Sequence, residues 1–143
     1  MPPEKSYAVP MRLAHAQDAE RLAELELLLF PENALNEYTL KGLIQTGRSL
    51  VLGEPVIAYA LCVESGGLVD LLRLGVHPDH QHKGYGSRFL RELLHVPTNL
   101  VLTVRKDNLR AVRLYRHFGL QVVSELENSW VMRAYANISQ EPA

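Results

Sequence analysis

The 143-residue chain has one cysteine, three phenylalanines, one tryptophan and nearly matched charges, 15 Lys and Arg against 16 Asp and Glu. Each scarcity excludes something. Cys62, alone and inside an apolar run, cannot form an intrachain disulfide and reads as a small buried hydrophobe. A formal net charge of −1 gives no bulk attraction toward a polyanion, and no aromatic-plus-basic ladder suits a nucleic-acid strand. No apolar run approaches the length of a membrane span, and the opening MPPEKSYAV lacks a signal peptide's apolar core. The expectation is a cytoplasmic protein that binds neither nucleic acid nor membrane. Repeats and low-complexity linkers are missing as well. With 47% apolar and 22% charged residues, one ordinary globular domain is expected. It would span residues 7–136, with loose polar or proline-bearing ends at 1–6 and 137–143.

What is present alternates in period. Residues 8–13 suit a first strand, which Pro10 confines to an edge. From Asp18 the spacing turns helical: Ala19, Leu22, Ala23, Leu25, Leu28 and Leu29 trace one face until Phe30-Pro31 stops the helix. A second helix covers 35–46 and ends at Gly47. Residues 49–52 and 56–63 read as strands joined at Gly53-Glu54-Pro55, and Gly66-Gly67 turns the chain into a strand over 68–76. A helix over 84–95 closes at Pro97. Residues 100–104 form a buried strand, Asp107 or Asn108 caps the next helix, Gly119 ends it, and 120–124 pairs with 129–135. Three hairpin strands followed by strand–helix–strand units predict a mixed α/β fold. Its mostly antiparallel sheet has six to seven strands, flanked on both faces by about four helices.

The stretch QHKGYG at 81–86 lies between a strand and a helix. A helix start carries unpaired N–H groups and a partial positive charge, which together bind phosphate. Gly84 and Gly86 would let a bulky diphosphate reach those groups. A ligand-free tight turn is the competing reading of so short a pattern. It is neither G-x-x-x-x-G-K-[ST] nor G-x-G-x-x-G, so neither a P-loop nor a dinucleotide fingerprint applies. Downstream, in LTVRKDNLRAVRLYRHFGL, Asn108 and Tyr115 stand seven apart, close to two helical turns, and share a face.

Taken together these stretches resemble the GNAT superfamily of acetyl-CoA-dependent N-acetyltransferases. Val76, Pro78, Gln81, Gly84 and Gly86 match its V-x-P-x-x-Q/R-x-x-G-x-G/A core. Asn108, Ala111, Leu114, Tyr115 and Gly119 match its N-x-x-A-x-x-L-Y-x-x-x-G-F, with Leu120 in place of Phe. LAELELLLFPENALNEYTL is similar to the Glu-x-x-x-F-P region of the bacterial ribosomal-protein-alanine branch. One departure stands out: that branch carries a Glu just before V-R on the fifth strand, and this chain has Thr103. A threonine hydroxyl cannot act as a base near neutral pH.

The resemblance implies transfer of an acetyl group from acetyl-CoA to a primary amine, either a protein N-terminal α-amine or a small molecule. It implies that backbone groups of the Leu74-Gly75-Val76 segment pair with the pantetheine arm and polarise the thioester. The amides of Gln81, His82, Lys83, Gly84, Tyr85, Gly86 and Ser87 would hold the pyrophosphate, and Asn108 would orient the arm. Tyr115 is the expected general acid, since a phenol with an ordinary pKa of about 10 holds a proton it can give to a thiolate. Asp70, six residues before Val76, is the expected base, working through a water. Glu26 and Glu37 are more distant candidates, and an α-amine with a pKa of about 7.7–8.0 can dispense with a base. His77, His80 and His82 crowd one loop without the rigid support of a zinc site, so no metal is expected. Arg110, Arg113 and Arg116 form a basic ridge, one member of which could meet the cofactor's 3′-phosphate. Glu125 and Glu127 precede the last strand, where a cationic amine could be attracted. A monomer or homodimer is expected. The alternative is an acyl-CoA-binding regulatory module without turnover.

Overall fold

In a computed structural model that describes residues 9–95 and 99–135, Pro10 precedes the first strand rather than entering it. β1 is Met11–Leu13, because a residue without an N–H cannot join the ladder. The remaining elements follow in the expected order. They are α1 (Ala19–Leu29), α2 (Glu37–Ile44), β2 (Leu50–Leu52), β3 (Ala58–Ser65), β4 (Leu68–Val76), α3 (Tyr85–His95), β5 (Asn99–Arg105), α4 (Leu109–His117), β6 (Gln121–Glu125) and β7 (Ser129–Ala134). Short 3₁₀ turns precede α1 and α3. The expected loose ends and the stop at Pro97 lie outside the described residues.

Boundaries moved where a cap or turn prevailed over periodicity. Asn36 accepts from the Thr39 N–H at 2.9 Å, so α2 starts at Glu37 rather than 35. The loop between β2 and β3 is longer than three residues: Ile57 N–H donates to Leu52 at 2.8 Å, and β3 begins at Ala58.

The seven strands run β1-β2-β3-β4-β5-β7-β6. All described neighbours are antiparallel except β4 and β5. Strand alternation sends two sets of side chains to two faces. Leu52, Ala60, Cys62, Val69, Leu71, Leu100, Leu102 and Met132 pack with Phe89, Leu90 and Leu93 of α3. Val51, Tyr59 and Leu61 pack with Leu22 and Leu25 of α1 and Leu40 of α2. Each fully buried Leu or Phe contributes about 1.5–3 kcal/mol.

β4 carries one residue too many for its partner. Leu61 pairs with Arg73 and Cys62 with Leu71, which leaves Leu72 as a bulge. A bulge bends a strand and shifts its side-chain phase. Pairing with β5 ends at Leu71–Leu102, beside the bulge, and beyond it the two strands part. Ahead of Leu72 the odd residues Val69 and Leu71 face α3. After it the even residues Leu74 and Val76 do, while Arg73 and Gly75 turn toward α1.

Gly75 is held by sterics. A Cβ there would lie 2.4 Å from Tyr59 Cζ and 2.6 Å from its hydroxyl oxygen. The Tyr59 ring is fully buried and its hydroxyl donates to Glu26 Oε2 at 2.6 Å, so it cannot swing aside. Gly75→Ala is expected to destabilise the fold by about 1–3 kcal/mol through overpacking, read as a lower urea midpoint. An unchanged midpoint would show that the tyrosine yields.

Candidate active site

A cleft of about 790 Å³ is walled by the end of β4, the 80–87 loop and α4. Leu74, Val76, Gln81, His82, Lys83, Gly84, Tyr85, Gly86, Ser87, Asn108 and Tyr115 all line it. The two motifs, some 20 residues apart in sequence, are joined at the rim, where Arg110 Nη2 meets His82 Nδ1 at 2.6 Å.

The backbone explains the loop's composition. Gly84 has φ +84, a conformation that favours glycine, and a Cβ there would meet open space. His82 has φ 65, in the same left-handed region. Gly84 O accepts the Arg88 N–H at 3.1 Å and so closes the first turn of α3. The N–H groups of Tyr85, Gly86 and Ser87 are therefore first-turn amides without intrahelical partners. Lys83, Arg110 and Arg113 line the same cleft, and among the described residues no carboxylate does. A chain of net charge −1 thus gathers cations where a polyphosphate would sit, and low-dielectric walls focus their field. Shape, free amides and charge all fit the diphosphate end of coenzyme A.

β4 supplies the other end. His77 N–H donates across the ladder to Ile57 O at 2.8 Å. Alternation then turns the backbone of Gly75 toward β3 and that of Leu74 and Val76 into the gap. Gln81 Nε2 donates to Val76 O at 3.1 Å, so the glutamine steadies the strand-to-loop turn with its side chain. Gly75 itself is absent from the cleft lining.

Asn108 is the cap of α4: its Oδ1 accepts from Ala111 N–H at 3.2 Å. Asp107, the other candidate cap, instead pairs with Arg105 through two bonds of 3.2 Å. Asn108 Nδ2 makes no hydrogen bond to a described residue and is left to face the cleft. Tyr115 packs half-buried against the α3-side core, and its hydroxyl likewise has no described partner. Burial pushes its pKa up to about 12.

The carboxylates fall elsewhere. Asp70 pairs with Val63 and Val101 in the closed part of the ladder, on the α1 side of the sheet, and does not line the cleft. It has no described hydrogen-bond partner, and desolvation raises its pKa above the ordinary value. Thr103 lies one residue past the last β4–β5 pair, exposed and opposite Val131. Glu26 is fully buried and accepts from Tyr59, from Arg73 Nη1 at 2.7 Å and from Leu35 N–H at 2.9 Å, which leaves it unfit as a base. Glu37 pairs with Lys41 on α2. Glu125 is neutralised by Lys106, whose ammonium also sits 4.6 Å from the Trp130 ring. His77 and His80 make an edge contact at 5.7 Å.

Sequence reasoning passed over Ala111, Leu114 and His117 as cleft lining. Their recurrence every three residues along the helix was the available signal. It also passed over Tyr59 and Arg73, for which no local pattern exists.

Comparison with known proteins agrees with this geometry. The pattern of the Acetyltransferase (GNAT) family matches residues 14–120. N-alpha-acetyltransferase RimI of Mycobacterium tuberculosis is 36% identical over 121 residues, with 74% of each chain covered. The ribosomal-protein-S18-alanine N-acetyltransferase of Escherichia coli superposes with TM-score 0.80 at 19% identity, over 94% of this chain and 98% of that one. An N-acetyltransferase of Thermoplasma acidophilum solved with coenzyme A gives TM-score 0.72 at 18% identity, over 89% and 98%. No described helix is long and apolar enough to cross a membrane. A parted β4–β5 pair, glycine-opened amides and an unpartnered tyrosine thus meet a family pattern spanning most of the chain, which belongs to the GNAT acetyltransferases and is an acetyl-CoA-dependent N-acetyltransferase.

Proposed function

We propose that the chain acetylates the α-amine of a polypeptide N-terminus, as a cytoplasmic enzyme whose catalytic domain is residues 7–136. The observation that carries this reading is the two-sided gap at β4. One side bears the phosphate-binding amides and Tyr115; on the other, Arg73 stays 18% exposed against Phe30 of the α1–α2 loop, where an acceptor would approach. The 36% identity to an N-alpha-acetyltransferase supports an α-amine over a small-molecule amine.

The cofactor supplies an activated acetyl thioester. Amides from Gln81 to Ser87 hold its diphosphate, and Lys83, Arg110 and Arg113 balance its charge. Leu74 and Val76 present backbone groups to the pantetheine arm and polarise the carbonyl, while Asn108 Nδ2 orients the arm. Tyr115 keeps its proton until a thiolate departs and then gives it up. Asp70 takes the acceptor's proton through a water.

Calorimetric titration with coenzyme A, then thiol release with N-terminal peptides, alkylamines and no acceptor, tests the proposal. Binding and peptide-dependent release are expected. Binding without release on any amine would leave only an acyl-CoA-binding module.

Asp70→Asn separates base from bystander. A folded carboxyl with a raised pKa binds its proton more readily than the unfolded one. Native stability therefore falls as pH rises from the unfolded value, about 3.9, through the folded one. Above that window the charged form carries a standing penalty. The Asn variant is accordingly expected to be slightly more stable at neutral pH, read as a higher urea midpoint. Its kcat should fall if Asp70 moves the proton. Higher stability with unchanged kcat would remove Asp70 from the mechanism.

A further inference from the structure

We propose that Arg73 reads the acceptor, its guanidinium donating to the first peptide carbonyl behind the α-amine. The inference rests on the N-terminal acceptor reading above. After the bulge at Leu72, β4 offers its even residues to the cofactor side and its odd residues to the other. On that other side Gly75 has no side chain and Tyr59 fills its place. Arg73 is thus the side chain that β4 presents on the opposite face immediately beside the cleft-lining Leu74.

The guanidinium is fixed from two directions. Nη1 donates to Glu26 Oε1 at 2.7 Å, and Cζ lies 4.2 Å from the centre of the Phe30 ring. Nε and Nη2 make no hydrogen bond to a described residue. Neither is a buried unpartnered atom; among the described residues that condition is met by Arg133 Nε. The Arg73 side chain is 18% exposed, so the free edge of its fork is reachable from solvent.

Charge selects the ligand. Glu26 is 0% exposed and cancels the arginine's charge at close range. The fork therefore offers directed donors with little net field. It does not repel an approaching amine, and it favours a neutral carbonyl over a free carboxylate, which would seek uncompensated charge. Glu26 also holds Leu35 N–H of the α1–α2 loop at 2.9 Å. One buried carboxylate thus sets both the fork and the loop that walls the acceptor.

The test is Arg73→Lys, which keeps a cation for Glu26 and removes the fork. Steady-state kinetics are measured with a short peptide bearing a free N-terminus, an alkylamine without a carbonyl, and a free amino acid. Coenzyme A affinity is measured alongside by calorimetry. Expected is a KM for the peptide raised about tenfold or more, with unchanged kcat, alkylamine kinetics and cofactor affinity. Equal shifts for peptide and alkylamine, or none for the peptide, would overturn the assignment. A larger loss on the free amino acid would make Arg73 a carboxylate reader and overturn it too. Turnover by the parent on no amine would refute the transferase reading, and the role of Arg73 with it. Should the lysine variant fail to fold, the double variant Glu26→Gln with Arg73→Gln keeps a neutral pair without the fork and carries the same comparison.

Discussion

Tyr115→Phe lowers kcat by about 100- to 10,000-fold, the usual worth of a positioned proton donor, and leaves coenzyme A affinity unchanged. The substitution removes one oxygen from a side chain whose ring packs against the α3-side core. The hydroxyl has no described partner, so its loss breaks no hydrogen bond to a described residue and should leave stability intact. Burial pushes the phenol up to about 12, so the proton is present throughout the working range. The pH profile follows. Rate should climb as the acceptor's α-amine loses its proton near about 7.7–8.0, then hold level without a basic limb from Tyr115 below pH 11. Stopped-flow thiol release across pH 6 to 10 checks both statements. A Phe variant with parental kcat, or a parental profile falling between pH 8 and 10, would assign the acid elsewhere.

The second large effect is thermodynamic. Glu26→Ala is expected to destabilise the fold by about 3–5 kcal/mol, the cost of stripping one partner from a buried ion pair. Three donors lose their acceptor at once: the Tyr59 hydroxyl, the Arg73 guanidinium and the Leu35 amide. Total stabilities of domains this size run to about 5–15 kcal/mol, so such a loss is a large part of the whole. Glu26→Gln keeps an acceptor oxygen and should recover part of it. Urea unfolding of the three proteins decides the matter. If the Ala and Gln variants unfold at the same midpoint, hydrogen bonding at this site does not anchor the fold.

These two residues were unequally visible beforehand. Tyr115 sits in a motif confined to residues 108–119, and Gly84 and Gly86 in one confined to 76–86, so each could be read locally. The alternation of the apolar positions likewise foretold the order of strands and helices, and Pro10 the edge strand. Glu26 was readable as an acid on a helix but not as a buried one, because its partners come from 9, 33 and 47 residues away. The run LVDLLRLGV hid more. A nearly continuous apolar strand carries no parity to read, so nothing marked Leu72 as the extra residue. Asp70 stands six residues before Val76, an even spacing that regular alternation would put on the same face. The bulge puts it on the opposite side.

That surplus residue leaves β4 serving two clients from opposite flanks within five positions. On the acceptor reading proposed above, the choice of amine is made at position 73 and the acetyl donor is held at 74 and 76, so a replacement at 73 that still pairs with buried Glu26 can change the first without touching the second. Deleting Leu72 would restore plain alternation with every other β4 residue on its present face, and would remove the bend beside which β4 parts from β5.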